Sequence, residues 1–213
     1  TLQESPEADF TFDRACNLTP INFTRTGFVP NNGDNSVYTW DFNGESTTSQ
    51  ENPSYLFSKV GSRDVTLTIE DLNGCSSTIT KSIDVLLQAD ANFEVADVCE
   101  GQEAVFVNTS TVASGDLSYE WSFGDGETST LLSPTYTYGE AKSYNVNLKA
   151  IIEGGCDDEM TSTIVVNPAP NANFTVVKDG RQVEVDAPEG NDIYRWTFGD
   201  GSRNDQEDVT YVY

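Results

Sequence analysis

The chain contains no histidine, a single methionine, and only 11 lysines and arginines against 35 aspartates and glutamates in 213 residues, for a formal charge of −24. Without histidine there is no imidazole to act as a general base or metal ligand near neutral pH. No GxSxG motif or other nucleophile-and-base set is present, so no enzymatic activity is expected. The shortage of positive charge argues against nucleic acid and against an anionic membrane surface as partners. No apolar run approaches the ~20 residues of a spanning helix, so no direct membrane insertion is expected. No close-spaced CxxC pair suggests zinc, and no segment shows a helical i, i+3, i+4, i+7 stripe. The first residue is Thr1 and no signal-peptide pattern follows it, which reads as a processed or excised piece.

Aromatic residues, by contrast, are plentiful, and their number argues against disorder despite the acidity. One phrase occurs three times: Tyr38-Thr39-Trp40-Asp41-Phe42, Tyr119-Glu120-Trp121-Ser122-Phe123 and Tyr194-Arg195-Trp196-Thr197-Phe198. In a β-strand, side chains at i, i+2 and i+4 share a face, so each phrase turns Tyr, Trp and Phe inward and polar residues outward. That alternation makes Trp40, Trp121 and Trp196 core residues and not a sugar-binding platform. The second and third copies continue into Gly-Asp-Gly; the first has Asn43-Gly44-Glu45 instead. Trp40 to Tyr55, Trp121 to Tyr136 and Trp196 to Tyr211 each span 15 residues. Upstream lie Ala8-Asp9-Phe10, Ala91-Asn92-Phe93 and Ala172-Asn173-Phe174. Short alternating segments separated by turn residues fill the intervals.

These registers divide the chain into residues 1–7 (the tail of a preceding repeat or linker), repeat one at 8–88, repeat two at 89–169, and repeat three at 170–213, which lacks the last strands. Thr1 and Leu2 align with the close of a last strand, and repeat three stops before its final two strands. About seven short antiparallel strands in some 80 residues predict an all-β chain of tandem immunoglobulin-like β-sandwiches.

The four cysteines occupy two repeated places. Cys16 and Cys99 each follow the first Phe by 6 residues, and Cys75 and Cys156 each follow the Trp by 35. Repeat three has Gly180 at the first place and ends before the second. The expectation is intra-repeat bonding, Cys16–Cys75 and Cys99–Cys156, with free thiols as the alternative; bonded cysteines imply an oxidising, extracellular compartment.

Trp121-Ser-Phe-Gly-Asp-Gly126 and Trp196-Thr-Phe-Gly-Asp-Gly201, with the downstream tyrosine segment and Tyr144-Asn-Val-Asn-Leu148, resemble the signature of the PKD (polycystic kidney disease) domain. The resemblance covers nearly the whole chain and implies immunoglobulin-like sandwiches in ectodomains. Acidic, histidine-free tandem copies with Gly-Cys before the last strand are similar to Bacteroidetes cell-surface and gliding-adhesin proteins. The function expected is a segment of an extracellular stalk, filament or adhesin that presents a binding region at the cell surface. The alternatives are an accessory module of a secreted hydrolase and a self-assembling subunit completed by a neighbour's strands. Partners on these readings are neighbouring repeats, other surface proteins or polysaccharide. No cofactor is expected, with calcium the one candidate. Its candidate ligands are Asp9 and Asp13 beside Glu7; Asp90, Asp97 and Glu100; and Asp157 and Asp158 beside Glu159.

Overall fold

The computed structural model describes residues 5–30, 36–187 and 193–213. Among these, the regular elements are β-strands, and no helix is long and apolar enough to cross a membrane. Thr1 and Leu2 lie outside the described residues. The chain forms two compact units: Thr1–Val95 with Val105–Pro134 and Asn145–Thr163, and Ala96–Ala104 with Thr135–Tyr144 and Ile164–Tyr213. The division runs through repeat two and not between repeats.

In the first unit, repeat one is a sandwich of two sheets. Strands β1 (Phe10–Phe12), β2 (Ile21–Arg25) and β5 (Ser54–Tyr55) form one, in the order β1-β2-β5. Strands β3 (Val37–Phe42), β4 (Ser46–Thr48), β6 (Gly61–Glu70) and β7 (Ser76–Val85) form the other, in the order β4-β3-β6-β7. The aromatic phrase is β3. Its inward residues Tyr38, Trp40 and Phe42 face Ile69, Leu67 and Val65 of β6, and all six are buried. On the outer face the Thr66 and Thr68 hydroxyls bond those of Thr80 and Thr78 at 2.8 and 2.9 Å. From the opposite sheet Phe10 meets Trp40 edge-on at 5.1 Å, and Phe23 lies 5.8 Å from it. Such ring pairs contribute roughly 0.5–1.5 kcal/mol each beyond their burial.

Repeat two supplies the rest of this unit. Here β8 (Phe93–Glu94) pairs with β11 (Val107–Asn108), and β12 (Leu117–Ser122) lies between β13 (Thr128–Ser129) and β15 (Ser143–Ile152). The ten-residue β16 (Asp158–Asn167) is the next neighbour of β15. Trp121 faces Leu148 and takes Phe93 edge-on at 5.1 Å, repeating the Trp40 geometry.

In the second unit β9 (Val98–Cys99) runs parallel to the end of β16, and β10 (Glu103–Val105) neighbours β14 (Thr135–Thr137). Repeat three contributes the sheet β17 (Thr175–Asp179), β18 (Gln182–Asp186) and β21 (Val209–Val212), and the hairpin β19 (Trp196–Thr197) with β20 (Arg203–Asn204). In repeat one β6 pairs with β3 and sets Leu67 opposite Trp40, and no described strand of repeat three corresponds to β6 or β7. Phe174 is 55% exposed, whereas its counterpart Phe10 is fully buried.

The turn after the aromatic phrase is built in two ways. Gly124 sits at φ 86°, and a Cβ there would lie 2.6 Å from the Asn145 carbonyl, so only glycine permits that approach. In repeat one Asn43 takes the left-handed φ of 55° and bonds the equivalent residue twice. Its amide donates to the Asp64 carbonyl at 2.8 Å, and its side-chain oxygen accepts from the Asp64 amide at 3.1 Å. The departure from Gly-Asp-Gly thus exchanges close packing for hydrogen bonds.

Candidate functional site

The repeated spacings now have physical causes. Each indole donates Nε1–H to a carbonyl ten residues on: Trp40 to Gln50 at 2.9 Å, Trp121 to Leu131 at 2.9 Å and Trp196 to Gln206 at 2.8 Å. The tyrosine at the 15-residue offset stacks on the Phe of the phrase: Tyr55 on Phe42 at 4.3 Å, and Tyr211 on Phe198 at 4.0 Å. Its hydroxyl reaches the acid in the turn. Tyr211 donates to Asp200 at 2.5 Å, and Tyr55 approaches Glu45 at 3.4 Å. Asp200 also accepts from the Ser202 hydroxyl at 2.6 Å and the Ser202 amide at 3.0 Å. The Ser202 hydroxyl, then Tyr211 and the Ser202 amide, lower the Asp200 pKa to about 2. The turn acid is therefore a structural clasp.

The acidic residues singled out as calcium candidates are engaged separately. Asp9 pairs with Lys81 at 2.7 Å, and that hydrogen bond is the main cause of its lowered pKa. Asp13 accepts from Asn22 at 2.8 Å, Asp97 from the Val165 amide at 2.8 Å and Glu100 from the Ala169 amide at 3.3 Å. Asp157 lies 3.6 Å from Lys149 and accepts from the Ile152 amide, while Asp158 accepts from the Ala91 amide at 2.9 Å. Asp90 pairs through its backbone with Thr111. Among the described residues no three acidic or sulfur ligands converge on one point.

The structure concentrates its long-range bonding instead at the junction of repeats one and two, within the first unit. The linker following β7 is paired on both sides. Leu86 bridges Cys16 in parallel: its amide donates to the Ala15 carbonyl at 2.8 Å, and its carbonyl accepts from Asn17 at 3.1 Å. Two residues later Gln88 bridges Cys156. The Cys156 amide donates to the Leu87 carbonyl at 2.8 Å, and the Ala89 amide donates to the Cys156 carbonyl at 2.9 Å. Side chains reinforce the strip: Asn17 Oδ1 accepts from the Gln88 amide at 2.8 Å, and Arg14 donates to the Gly155 carbonyl. Ala89, Ala91, Ala150 and Ile152 form a small buried cluster with Leu87 packed on it. Gly155 is required here, because a Cβ would lie 2.5 Å from the Leu87 carbonyl.

A disulfide closes this junction, and it is not either of the bonds expected from sequence. Cys16 is joined to Cys156, with Cα atoms 6.2 Å apart, while Cys75 and Cys99 are free thiols. The reason is strand length. Cys75 immediately precedes the ten-residue β7, and Cys16 lies beside Leu86, immediately beyond its other end. Ten strand residues span about 33 Å. A disulfide tolerates roughly 4.4–6.8 Å between Cα atoms, so Cys16–Cys75 is excluded. Cys99 and Cys156 are likewise separated by β16, Cys99 pairing with its last residue and Cys156 preceding its first. The two cysteine places lie at opposite poles of a repeat, and the observed bond joins the lower pole of one repeat to the upper pole of the next.

A family model of the PKD domain matches residues 3–86 and 88–168. The pre-pro-metalloprotease PrtV of Vibrio cholerae is 38% identical over 97 residues, which are 44% of this chain and 10% of that protein. Collagenase ColA of Bacillus cereus is 29% identical over 94 residues, 39% of this chain and 10% of that protein. The match thus spans about a tenth of the length of these relatives. Among solved structures, the PKD1 domain of Vibrio anguillarum Epp is 30% identical, covering 39% of this chain and 99% of that domain, with a TM-score of 0.36. The PKD1 domain of Vibrio cholerae PrtV is 37% identical over the same shares, with a TM-score of 0.34.

Proposed function

Since the chain belongs to the PKD domain family, we propose that it is a non-catalytic spacer: a stretch of an extracellular stalk, filament or adhesin that holds a binding region away from its point of attachment. The observation that carries this reading is the junction. A flexible tether would leave its backbone groups to water, whereas the linker from Leu86 to Ala89 is hydrogen-bonded to both repeats and backed by Cys16–Cys156. Bending at that joint would break several backbone bonds at once. The extracellular placement is supported by the disulfide, which needs an oxidising compartment, and by likeness to a pre-pro-metalloprotease and to collagenases, whose named substrate is an extracellular protein. Acidity suits the role by keeping repeats from associating edge to edge.

The second reading, an accessory module beside a secreted hydrolase, is favoured by the same protease relatives. One experiment separates the two. Residues 8–169 are duplicated in the protein as its source makes it, and the distance from the surface to the distal region is measured by electron microscopy. A spacer gains roughly 35 Å per added repeat, the length of a ten-residue strand and its turns. An unchanged distance, with altered hydrolysis of an insoluble substrate, would replace the spacer by the accessory module.

A further inference from the structure

We propose that Cys75 and Cys99 are the open halves of two further bridges of the Cys16–Cys156 kind. Cys75 would take the lower-pole cysteine of a repeat seated before repeat one. Cys99 would take the Gly-Cys cysteine of a repeat seated after repeat two. The partner in each case is a PKD repeat presenting the complementary thiol.

The argument rests on equivalence of place, observed on both sides of the known bond. Cys99 stands in repeat two where Cys16 stands in repeat one. Cys16 bridges Leu86 in parallel just past β7, and Cys99 pairs in parallel with Asn167 at the end of β16. The next amide is held alike: Asn17 donates to the Leu86 carbonyl at 3.1 Å, and Glu100 to the Asn167 carbonyl at 2.9 Å. Even the outgoing linker starts on the same track. Asn17 Oδ1 accepts from Gln88 at 2.8 Å, and Glu100 Oε1 accepts from Ala169 at 3.3 Å. The lower pole that holds Cys16 for bonding is therefore rebuilt around Cys99.

At the upper pole the turn before Cys75 matches the turn before Cys156, although the Cys75 amide and carbonyl are engaged within that turn by Asp71. Gly74 donates to the Asp71 carbonyl at 3.0 Å, as Gly155 donates to Ile152 at 3.2 Å. The turn of repeat one is additionally pinned by Asp71, whose Oδ1 accepts from the amides of Asn73 and Cys75, both at 2.9 Å. Burial works to raise the Asp71 pKa, but the Cys75 and Asn73 amides with the Asn73 side chain outweigh it and the net shift is downward. Ala8 donates to Ser77 at 3.0 Å where Ala91 donates to Asp158 at 2.9 Å, so the incoming chain takes the same route past the turn. A thiol held at this pole is exposed, as one awaiting a partner must be. The open junctions differ from the closed one in their backbone bonds: the Cys75 amide donates to Asp71 Oδ1 and its carbonyl accepts from the Asp71 amide, whereas those groups of Cys156 bond Leu87 and Ala89. Pro6 and Pro170 occupy the place of Ala89, whose amide donates to the Cys156 carbonyl. Proline has no such amide, so the sulfur bridge would be the principal tie there.

Each bridge forms by thiol–disulfide exchange with a small-molecule disulfide such as oxidised glutathione. One thiolate attacks the oxidant and releases one reduced thiol. The second then displaces the other, so the pair of cysteines loses two electrons and two protons and the oxidant becomes two thiols.

The inference depends on reading the chain as one stretch in a row of repeats, and its test keeps the two apart. The protein is taken as its source makes it, alkylated without reduction, digested, and mapped by mass spectrometry. Cys75 should be found linked to a lower-pole cysteine, and Cys99 to a Gly-Cys cysteine, each of another repeat and each protected from alkylation. C75S and C99S should each expose one new alkylated cysteine on the adjoining repeat. A single band on a non-reducing gel places the partner repeats in the same chain. A ladder that collapses on reduction places them in other copies. Further repeats in the protein with Cys75 and Cys99 both alkylated overturn the bridges alone. A source protein without any other repeat overturns the row itself.

Discussion

Removing the Cys16–Cys156 bond should weaken repeats one and two together, and the size of the effect follows from the loop it closes. The bonded residues are 140 positions apart. The chain-entropy relation, about −2.1 − 1.5R ln n cal/mol/K, gives about 5 kcal/mol at 25 °C for a loop of that length. Measured values commonly fall short of that figure, so about half of it is a working expectation. For a cooperative unit of this size, 1 kcal/mol moves the midpoint by about 2–4 °C. The double variant C16S/C156S should therefore lower the calorimetric transition of repeats one and two by about 5–10 °C and split it, because the junction would no longer couple them. Single variants show which bond was lost. C16S should leave Cys156 as the newly alkylatable thiol, and C156S should leave Cys16. If C16S instead exposes Cys75, the bond lies within the repeat and the pole-to-pole reasoning is wrong. An unchanged midpoint in the double variant would equally refute it.

Three other expectations concern separate parts of the chain. Asp200 has a pKa lowered to about 2, so its clasp on Ser202 and Tyr211 is fully present above the ordinary carboxylate range. The stability it gives is lost as pH falls from about 4 through 2; carboxyl-carbon NMR should show that low midpoint, with Y211F moving it upward, and a midpoint at 3.8 would dismiss the clasp. Gly155→Ala places a Cβ against the Leu87 carbonyl and should cost about 1–3 kcal/mol. Hydrogen exchange should then accelerate at Ala89 and Cys156 while tryptophan fluorescence stays unchanged. Because the described candidate calcium ligands do not converge on one point, EDTA should leave the melting midpoint where it is, and a fall of several degrees would show a bound metal.

Much of the architecture was legible because β-strands alternate. Tyr38, Trp40 and Phe42 announced a buried face, and Tyr55 at its fixed distance announced a partner for Phe42. What the spacing could not disclose was the acceptor of each indole, since Gln50, Leu131 and Gln206 contribute only a carbonyl, which every residue has. The cysteines show a different limit. Their offsets identified equivalent places correctly, but equivalence is not adjacency. Strand length held the missing information: a ten-residue strand between Cys75 and Leu86 puts the two places at opposite ends. Likewise the linker gave no signal of pairing on two sides, because Leu86-Leu87-Gln88-Ala89 reads as a plain connection until both neighbours are folded.

The position of the Cys16–Cys156 bond along the chain has a mechanical consequence. A pull applied to the two termini reaches Cys16, crosses the sulfur atoms and continues from Cys156, so the chain between them carries no load that could stretch it. At about 3.3–3.6 Å per extended residue, the 140-residue interval would otherwise yield roughly 480 Å of slack. Trp40, Trp121 and strands β2 to β15 lie inside that shunted loop, with β1 and β16 outside it. Under tension the stretch from Cys16 to Cys156 would break a covalent bond before it lengthened, behaving as a link of fixed length and not as a spring.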